Sequence, residues 1–261
     1  MHGRPPNNRS QIVGTLKSMG HPRSARGRAR ETIERLRVEY PGTAHELCAL
    51  RHDNPYELLV ATILSAQTTD ERVNIVTPEL FAEYPSPEDL AEANPERVEE
   101  LIRSTGFFRA KTRSLIGMAR GVVERFNGVI PQSMEDLTSL PGVGRKTANV
   151  VRSVDFDLPG LPVDTHVGRL ARRLGLTEQT DPDKVEAELD RIVPAQERGG
   201  LSLRLILHGR RVCLARKPRC ERCVLCDFCP SAPLFLAMGR ANKDGLSRAT
   251  RKHNNQQAVK S

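Results

Sequence analysis

Apolar residues recur at spacings of three and four along most of the chain. Examples are Leu58, Leu59, Ile63 and Leu64; Val167, Leu170, Ala171 and Leu174; and Val185, Leu189 and Ile192. That period lines one face of an α-helix, whereas a half-buried strand alternates every second residue. Alternating β-branched runs are missing. Polar positions punctuate the pattern in the same helical sense. Ser86-Pro87-Glu88-Asp89, Asn94-Pro95-Glu96 and Asp181-Pro182-Asp183 each set a capping side chain before a proline at the first helical position, with acids in the first turn. Ser133, with Asp136 three residues on, offers another cap. The pattern predicts an all-α chain of roughly eight to twelve short helices joined by Gly/Pro turns.

The two ends break this pattern. Residues 1–26 and the stretch after Pro233 are polar, basic and aperiodic, which predicts disordered extensions at 1–26 and 233–261. They also dominate the charge. The net charge of the 261-residue chain is +8. Residues 1–30 hold seven Arg/Lys and no acid, and residues 232–261 hold six with Asp244 alone, leaving 27 basic against 31 acidic residues between them. A polyanionic partner is therefore met by placed groups, with the tails adding salt-sensitive attraction. The clearest basic concentration between the tails runs from Arg204 to Arg222. No apolar run approaches the roughly 20 residues of a membrane span, and no secretory h-region opens the chain. A cytoplasmic protein without membrane contact is expected, an organelle address in the basic N-terminus being the alternative. In such a compartment six cysteines point to a metal before they point to disulfides.

The run Leu140-Pro141-Gly142-Val143-Gly144-Arg145-Lys146-Thr147-Ala148 predicts a helix from about Ser133, a tight glycine turn, and a second helix from about Arg145. Gly142 and Gly144 leave backbone N–H groups unshielded at a helix N-terminus, where a phosphate can be held. The arrangement resembles the helix-hairpin-helix motif, which grips the DNA backbone without reading its sequence. Lys146 lies in the first turn of the second helix, where the dipole and neighbouring Arg145 disfavour an ammonium. A neutral lysine is a nucleophile able to form a Schiff base, although phosphate binding alone is the commoner role at such a position. Asp164, in Val163-Asp164-Thr165-His166-Val167, follows Pro162 and precedes a helical pattern. It is expected to cap that helix with one oxygen while the other faces a cleft, where a carboxylate can stabilise a cationic sugar or move a proton. His166 is expected to be packed rather than catalytic.

Five of the six cysteines fall between 213 and 229. Cys213, Cys220, Cys223 and Cys229 form C-x6-C-x2-C-x5-C, a strong metal-ligand signal for four-thiolate zinc or a [4Fe–4S] cluster. Cys220, Cys223, Cys226 and Cys229 form a competing, ferredoxin-like C-x2-C-x2-C-x2-C followed by Pro230. Cys48 stands apart and is expected to be a buried apolar thiol.

Taken in order, the hairpin run extended to Val151, the Val163–Val167 run and the cysteine spacing resemble the endonuclease III family over about residues 30–232. That family comprises iron–sulfur DNA glycosylases and abasic-site lyases of base excision repair. The resemblance implies a six-helix barrel domain at 48–158 carrying the hairpin, and an iron–sulfur domain built from 27–47 plus 159–232. DNA would lie in the cleft between them. It implies Lys146 as nucleophile, Asp164 as the essential carboxylate, and a structural [4Fe–4S] cluster on Cys213, Cys220, Cys223 and Cys229, with Cys226 as an extra thiol. It implies double-stranded DNA bearing damaged pyrimidines or abasic sites as the partner, and a monomeric, nucleoid-associated bacterial protein. Gln67, in Ser65-Ala66-Gln67-Thr68-Thr69-Asp70, matches a glutamine that fills the space left by a flipped nucleotide. Phe107 stands where the family often has a leucine wedge, core packing being the other reading. Gly142, Gly144, Arg145, Arg216, Lys217 and Arg219 are expected to meet phosphates. The family pattern is departed from at Arg152-Ser153-Val154-Asp155-Phe156-Asp157, more polar than expected, and at Leu203, where a histidine is common.

Two other functions fit parts of this pattern. One is a monofunctional adenine-mismatch glycosylase, a relative that usually lacks lysine at the position of Lys146 and carries a further C-terminal domain. The other is a non-catalytic DNA-binding module with a structural metal, which the Lys146/Asp164 pair argues against.

Overall fold

The structure is a computed structural model that describes residues 22–238; the expectations for residues 1–21 and 239–261 lie outside the described residues. The described chain is helical, with no strand among the described residues. Helices α1 (Ala25–Glu39), α2 (Ala44–Leu47), α3 (Pro55–Leu64), α4 (Asp70–Glu83), α5 (Pro87–Ala91) and α6 (Pro95–Ile102) lead into the long α7 (Phe108–Phe126). Helices α8 (Met134–Thr138), α9 (Arg145–Val154), α10 (Thr165–Arg173), α11 (Pro182–Ile192) and α12 (Arg198–Arg211) follow. No helix among the described residues is long and apolar enough to cross a membrane.

The capping side chains act where the sequence places them. Ser86, Asn94, Ser133 and Asp181 accept from the N–H groups of Asp89, Arg97, Asp136 and Lys184 respectively, each opening a helix. Two boundaries differ from expectation. Helix α1 begins at Ala25, inside the supposed N-terminal extension, because Ser24 caps it through Gly27 N–H. Residues 232–238 are helical rather than irregular. Phe235 explains this: it lines the cavity beside the cysteines and lies under the Arg173 guanidinium, 4.5 Å from ring centroid to Cζ.

Two hydrophobic clusters organise the helices. The first gathers residues from Leu50 to Val154 around α3, which is buried on every side from Leu58 to Leu64. The second joins Ala29, Ile33 and Leu36 of α1 to apolar residues of α10, α11 and α12, and to Leu225 and Phe228 beyond them. Helix α12 serves both, giving Leu203 to the first cluster and Leu201 and Leu205 to the second. An ion pair, Arg210 to Asp70 at 2.7 Å, adds a polar tie between α12 and the start of α4.

The polar departure near the end of α9 is absorbed by a histidine. The Asp155 side chain is 6% exposed, and its Oδ1 lies 3.0 Å from His52 Nε2, whose Nδ1 is 2.8 Å from the Leu50 carbonyl. Burial opposes a charge on His52, but the Asp155 and Leu50 hydrogen bonds outweigh it and raise the ring's pKa. A base whose folded pKa is raised stabilises the fold fully below its unfolded value, about 6.5, and loses that contribution as pH climbs through the higher folded value. His52→Leu is therefore expected to cost about 3 kcal/mol near pH 6, because it leaves buried Asp155 only the exposed His45, 3.9 Å away. Urea melts should show that penalty shrinking at alkaline pH; a penalty independent of pH would show that the pair is not ionic.

Candidate functional site

The glycine hairpin forms between α8 and α9. Leu140 and Val143 are buried, and Val143 N–H donates to the Leu140 carbonyl at 3.1 Å to close the turn. Gly142 has φ +76°, and a Cβ there would lie 2.5 Å from Ser114 Cβ on α7. Only glycine therefore seats the hairpin against α7. Gly144 caps α9 with no side-chain hydrogen bond, and a Cβ built on it meets nothing within 4 Å. The uncapped N–H groups of α9 thus open onto free space, as an anion site requires. Gly142→Ala is expected to cost about 2 kcal/mol, from the left-handed backbone and the Ser114 contact. Duplex affinity should fall with it; unchanged affinity in a folded variant would remove the hairpin from the DNA surface.

Lys146 is exposed in the first turn of α9 and makes no hydrogen bond or ion pair among the described residues. Arg145 beside it behaves differently. Its guanidinium is bound bidentately by Glu186 of α11, at 3.0 and 2.7 Å, and the hydrogen bond to Glu186 raises its pKa. Its charge is thus matched by Glu186, and the expectation of an Arg145 reserved for phosphate meets a guanidinium already engaged. Glu186 is buried and sits 41 residues away, a partner that spacing does not reveal.

Asp164 caps α10 as expected, with Oδ1 accepting from Val167 N–H at 2.8 Å. Lys146 and Asp164 therefore occupy the N-terminal ends of consecutive helices. They make no direct ion pair. The connector between them packs tightly on α9: a Cβ on Gly160 would be 2.6 Å from the Asn149 carbonyl oxygen. His166 is half-buried, with Nδ1 3.0 Å from Arg169 Nη2, and burial lowers its pKa. That is the packed histidine the sequence predicts.

Gln67 and Phe107 share an unusual backbone. Gln67, between α3 and α4, has φ +56°, and Phe107, which opens α7, has φ +49°. Both are exposed, and Phe107 at 68% exposure is not a core residue. Left-handed non-glycine residues are strained by about 1 kcal/mol or more and concentrate at functional sites.

Cys213, Cys220, Cys223, Cys226 and Cys229 line one cavity together with His208, Arg173 and Phe235. Burial raises the thiol pKa values of Cys220 to about 11 and of Cys223 to about 12, and raises those of Cys226 and Cys229. Neighbouring cysteines add to the rise at Cys220, Cys223 and Cys229. Thiolates there need a cationic centre. Donors already face two of the sulfurs. Arg173 Nη1 lies 3.2 Å from Cys213 Sγ, His208 Nε2 is 3.2 Å from Cys223 Sγ, and Leu225 N–H is 3.4 Å from it. Burial lowers the His208 pKa to about 4, so the ring is neutral. With Nε2–H directed at sulfur, Nδ1 accepts from Tyr40 Oη, 3.1 Å away. Cys48, by contrast, packs against the first core cluster, and burial raises its thiol to about 11.

Arg173 and His208 escape sequence reasoning because a basic residue near the end of a helix usually serves the dipole. Arg173 also donates to the carbonyls of Leu214 and Ala215, at 2.8 and 2.6 Å, holding the Cys213–Cys220 loop from within. Arg216, Lys217 and Arg219 are exposed on that loop, and Arg219 Nη1 donates to the Arg211 carbonyl at 3.3 Å. Beyond that loop, between Cys223 and Cys229, Arg35 of α1 grips Asp227 at 2.6 and 3.0 Å and the Val224 carbonyl at 2.8 Å.

Fold and hairpin together define a class of all-α proteins with a helix-hairpin-helix. The profile of the HhH-GPD superfamily base excision DNA repair proteins matches residues 60–195. The chain is 51% identical to endonuclease III of Synechocystis over 210 residues, covering 80% of this chain and 94% of that protein. It is similar to the solved structure of a non-covalent endonuclease III–DNA complex, with TM-score 0.75 and 38% identity over 81% of this chain and 98% of that one. A trapped endonuclease III–DNA covalent intermediate, an estranged-adenine complex, is similar to the same extent, with TM-score 0.75 and 39% identity. The chain belongs to the endonuclease III family.

Proposed function

We propose that this chain is a bifunctional DNA glycosylase that removes oxidised pyrimidines from duplex DNA and cleaves the resulting abasic site. The observation that carries the reading is Lys146: an exposed amine that no carboxylate holds as an ion pair, set directly behind a glycine hairpin with open N–H groups. The hairpin at Gly142 and Gly144 holds backbone phosphates, and Arg216, Lys217 and Arg219 add charge from the loop beside the cysteines. A damaged pyrimidine, weakly stacked, is extruded while Phe107 and Gln67 occupy the gap it leaves. Arg145 serves this surface indirectly, fixing the start of α9 to α11 through Glu186.

Lys146 Nζ then bonds to the sugar C1′ as the C1′–N bond breaks, and the base departs with that electron pair and a proton. Loss of a proton from nitrogen and opening of the sugar ring leave an imine. The imine acidifies the 2′ hydrogen, and its removal expels the 3′ phosphate, cutting the strand on that side. Asp164, anchored through Oδ1 at the α10 cap, stabilises the cationic sugar or carries the proton.

The residues around the cavity fit a [4Fe–4S] cluster: the thiols converge on one cavity, burial raises those of Cys220, Cys223 and Cys229 so that thiolates there need a cationic centre, and N–H donors of Arg173, His208 and Leu225 already face two of the sulfurs. Cys213, Cys220, Cys223 and Cys229 would hold it, the hydrogen bond from Arg173 to Cys213 supporting that set over one containing Cys226. The group supplies cross-linking of the loop rather than electron transfer, and so presents Arg216, Lys217 and Arg219 as a rigid unit.

The test uses two duplexes, one with an oxidised thymine and one with an abasic site, incubated with the protein and borohydride. Covalent trapping on both supports a glycosylase with a coupled lyase. Excision without trapping would favour a monofunctional enzyme, and binding without either would leave a DNA-binding module.

A further inference from the structure

Lys111 is a buried cation that the proposed reaction does not use. It lies one turn into α7 and is 5% exposed, and burial lowers the pKa of its amine. Its Nζ donates to the Leu64 carbonyl at 2.8 Å and to the Thr105 carbonyl at 2.9 Å. No carboxylate among the described residues is hydrogen-bonded or ion-paired to it. Two hydrogen bonds to carbonyls offset only part of the cost of burying an amine.

What they join are the two strained turns. Leu64 ends α3, three residues before Gln67, and Thr105 is two residues before Phe107. The Thr105 carbonyl also accepts from Thr68 Oγ1, so the residue after Gln67 is tied to the same atom. The Lys111 backbone closes the arrangement, its N–H donating to the Phe107 carbonyl at 3.1 Å. One side chain thus spans the gap between the turns that carry the two left-handed residues. Fixing their separation in advance removes an ordering cost from the step in which both enter a duplex.

We propose that Lys111, with Thr68 as a second strut, is a positioning residue that sets Gln67 and Phe107 at a fixed separation for insertion into DNA. This rests on the reading of those two residues as the groups that fill the extrusion gap. Lys111 itself touches no substrate; its effect passes through the two turns.

The experiment is a double-mutant cycle in the full chain. Lys111→Met, Thr68→Val, Gln67→Ala, Phe107→Ala and the Lys111→Met/Phe107→Ala double variant are compared on a duplex with 2-aminopurine opposite an oxidised thymine. Fluorescence reports unstacking of the orphaned base, single-turnover excision reports the rate, and affinity for undamaged duplex is the control. Lys111→Met should lower both unstacking and excision about tenfold while affinity for undamaged duplex stays within about twofold. Adding it to Phe107→Ala should cost little more than Phe107→Ala alone, since residues acting as one unit are not additive. Thr68→Val, which strands no charge, should show the same signature more weakly and keeps the test valid if Lys111→Met unfolds.

If Gln67→Ala and Phe107→Ala impair extrusion while Lys111→Met and Thr68→Val behave as wild type, or add in full to the wedge variants, the positioning role is overturned and the wedge reading stands. If Gln67→Ala and Phe107→Ala leave extrusion untouched, the wedge reading falls and the inference falls with it.

Discussion

Cys213→Ser is expected to strip the iron and unfold the C-terminal part of the chain, whereas Cys226→Ser keeps both iron and fold. The reason lies in what the cavity holds together. Cys213 sits at the end of α12, and its sulfur and the loop after it are bonded by Arg173 of α10. Cys223 is reached by His208 of α12, whose other ring nitrogen is paired with Tyr40 at the end of α1. The proposed cluster therefore staples α1, α10 and α12, three of the four helices that build the second core. Metal binding of this kind is folding free energy, on the order of 10 kcal/mol for structural zinc. Losing even about 5 kcal/mol in a chain of this size lowers Tm by about 10–20 °C. Iron content, the visible absorption band and the melting curve check it together. A colourless but stable wild-type protein would contradict the cluster, and loss of iron in Cys226→Ser with retention in Cys213→Ser would favour the ferredoxin-like quartet.

The second large effect is at Lys146. Lys146→Ala should lower abasic-site cleavage on the order of 10³-fold or more, since the variant removes the bond-forming atom itself. Its stability should stay near wild type, because the exposed side chain has no partner to lose. Duplex binding should survive too, because the hairpin grips through Gly142 and Gly144 backbone. Folded protein, intact affinity and absent cleavage together separate a nucleophile from a phosphate-binding lysine, whose loss would weaken binding first. Asp164→Asn should lie between, since the amide still caps α10 but carries no charge to the sugar.

Much of this was legible in the chain because it is local. Caps at Ser86, Asn94, Ser133 and Asp181 act over three residues, and the hairpin glycines and cysteine spacings are likewise short-range patterns. What stayed hidden is long-range and pairwise. Arg145 looks like a phosphate ligand until Glu186, 41 residues on, takes its guanidinium. Asp155 looks like a misfit in a packed segment until His52, 103 residues earlier, pairs with it. Lys111 looks like one more surface lysine, because the groups it meets are backbone carbonyls, of Leu64 and Thr105, which leave no mark in a sequence. Backbone strain at Gln67 and Phe107 has no sequence signature at all, because neither is a residue type that favours the left-handed region.

The most direct measurement is to locate the covalent bond. Protein trapped with borohydride on a duplex carrying an oxidised thymine is digested and the sugar-bearing peptide identified by mass spectrometry. A single adduct on Lys146 is expected. An adduct on another lysine or on the N-terminal amine, or excision with no adduct, would contradict it.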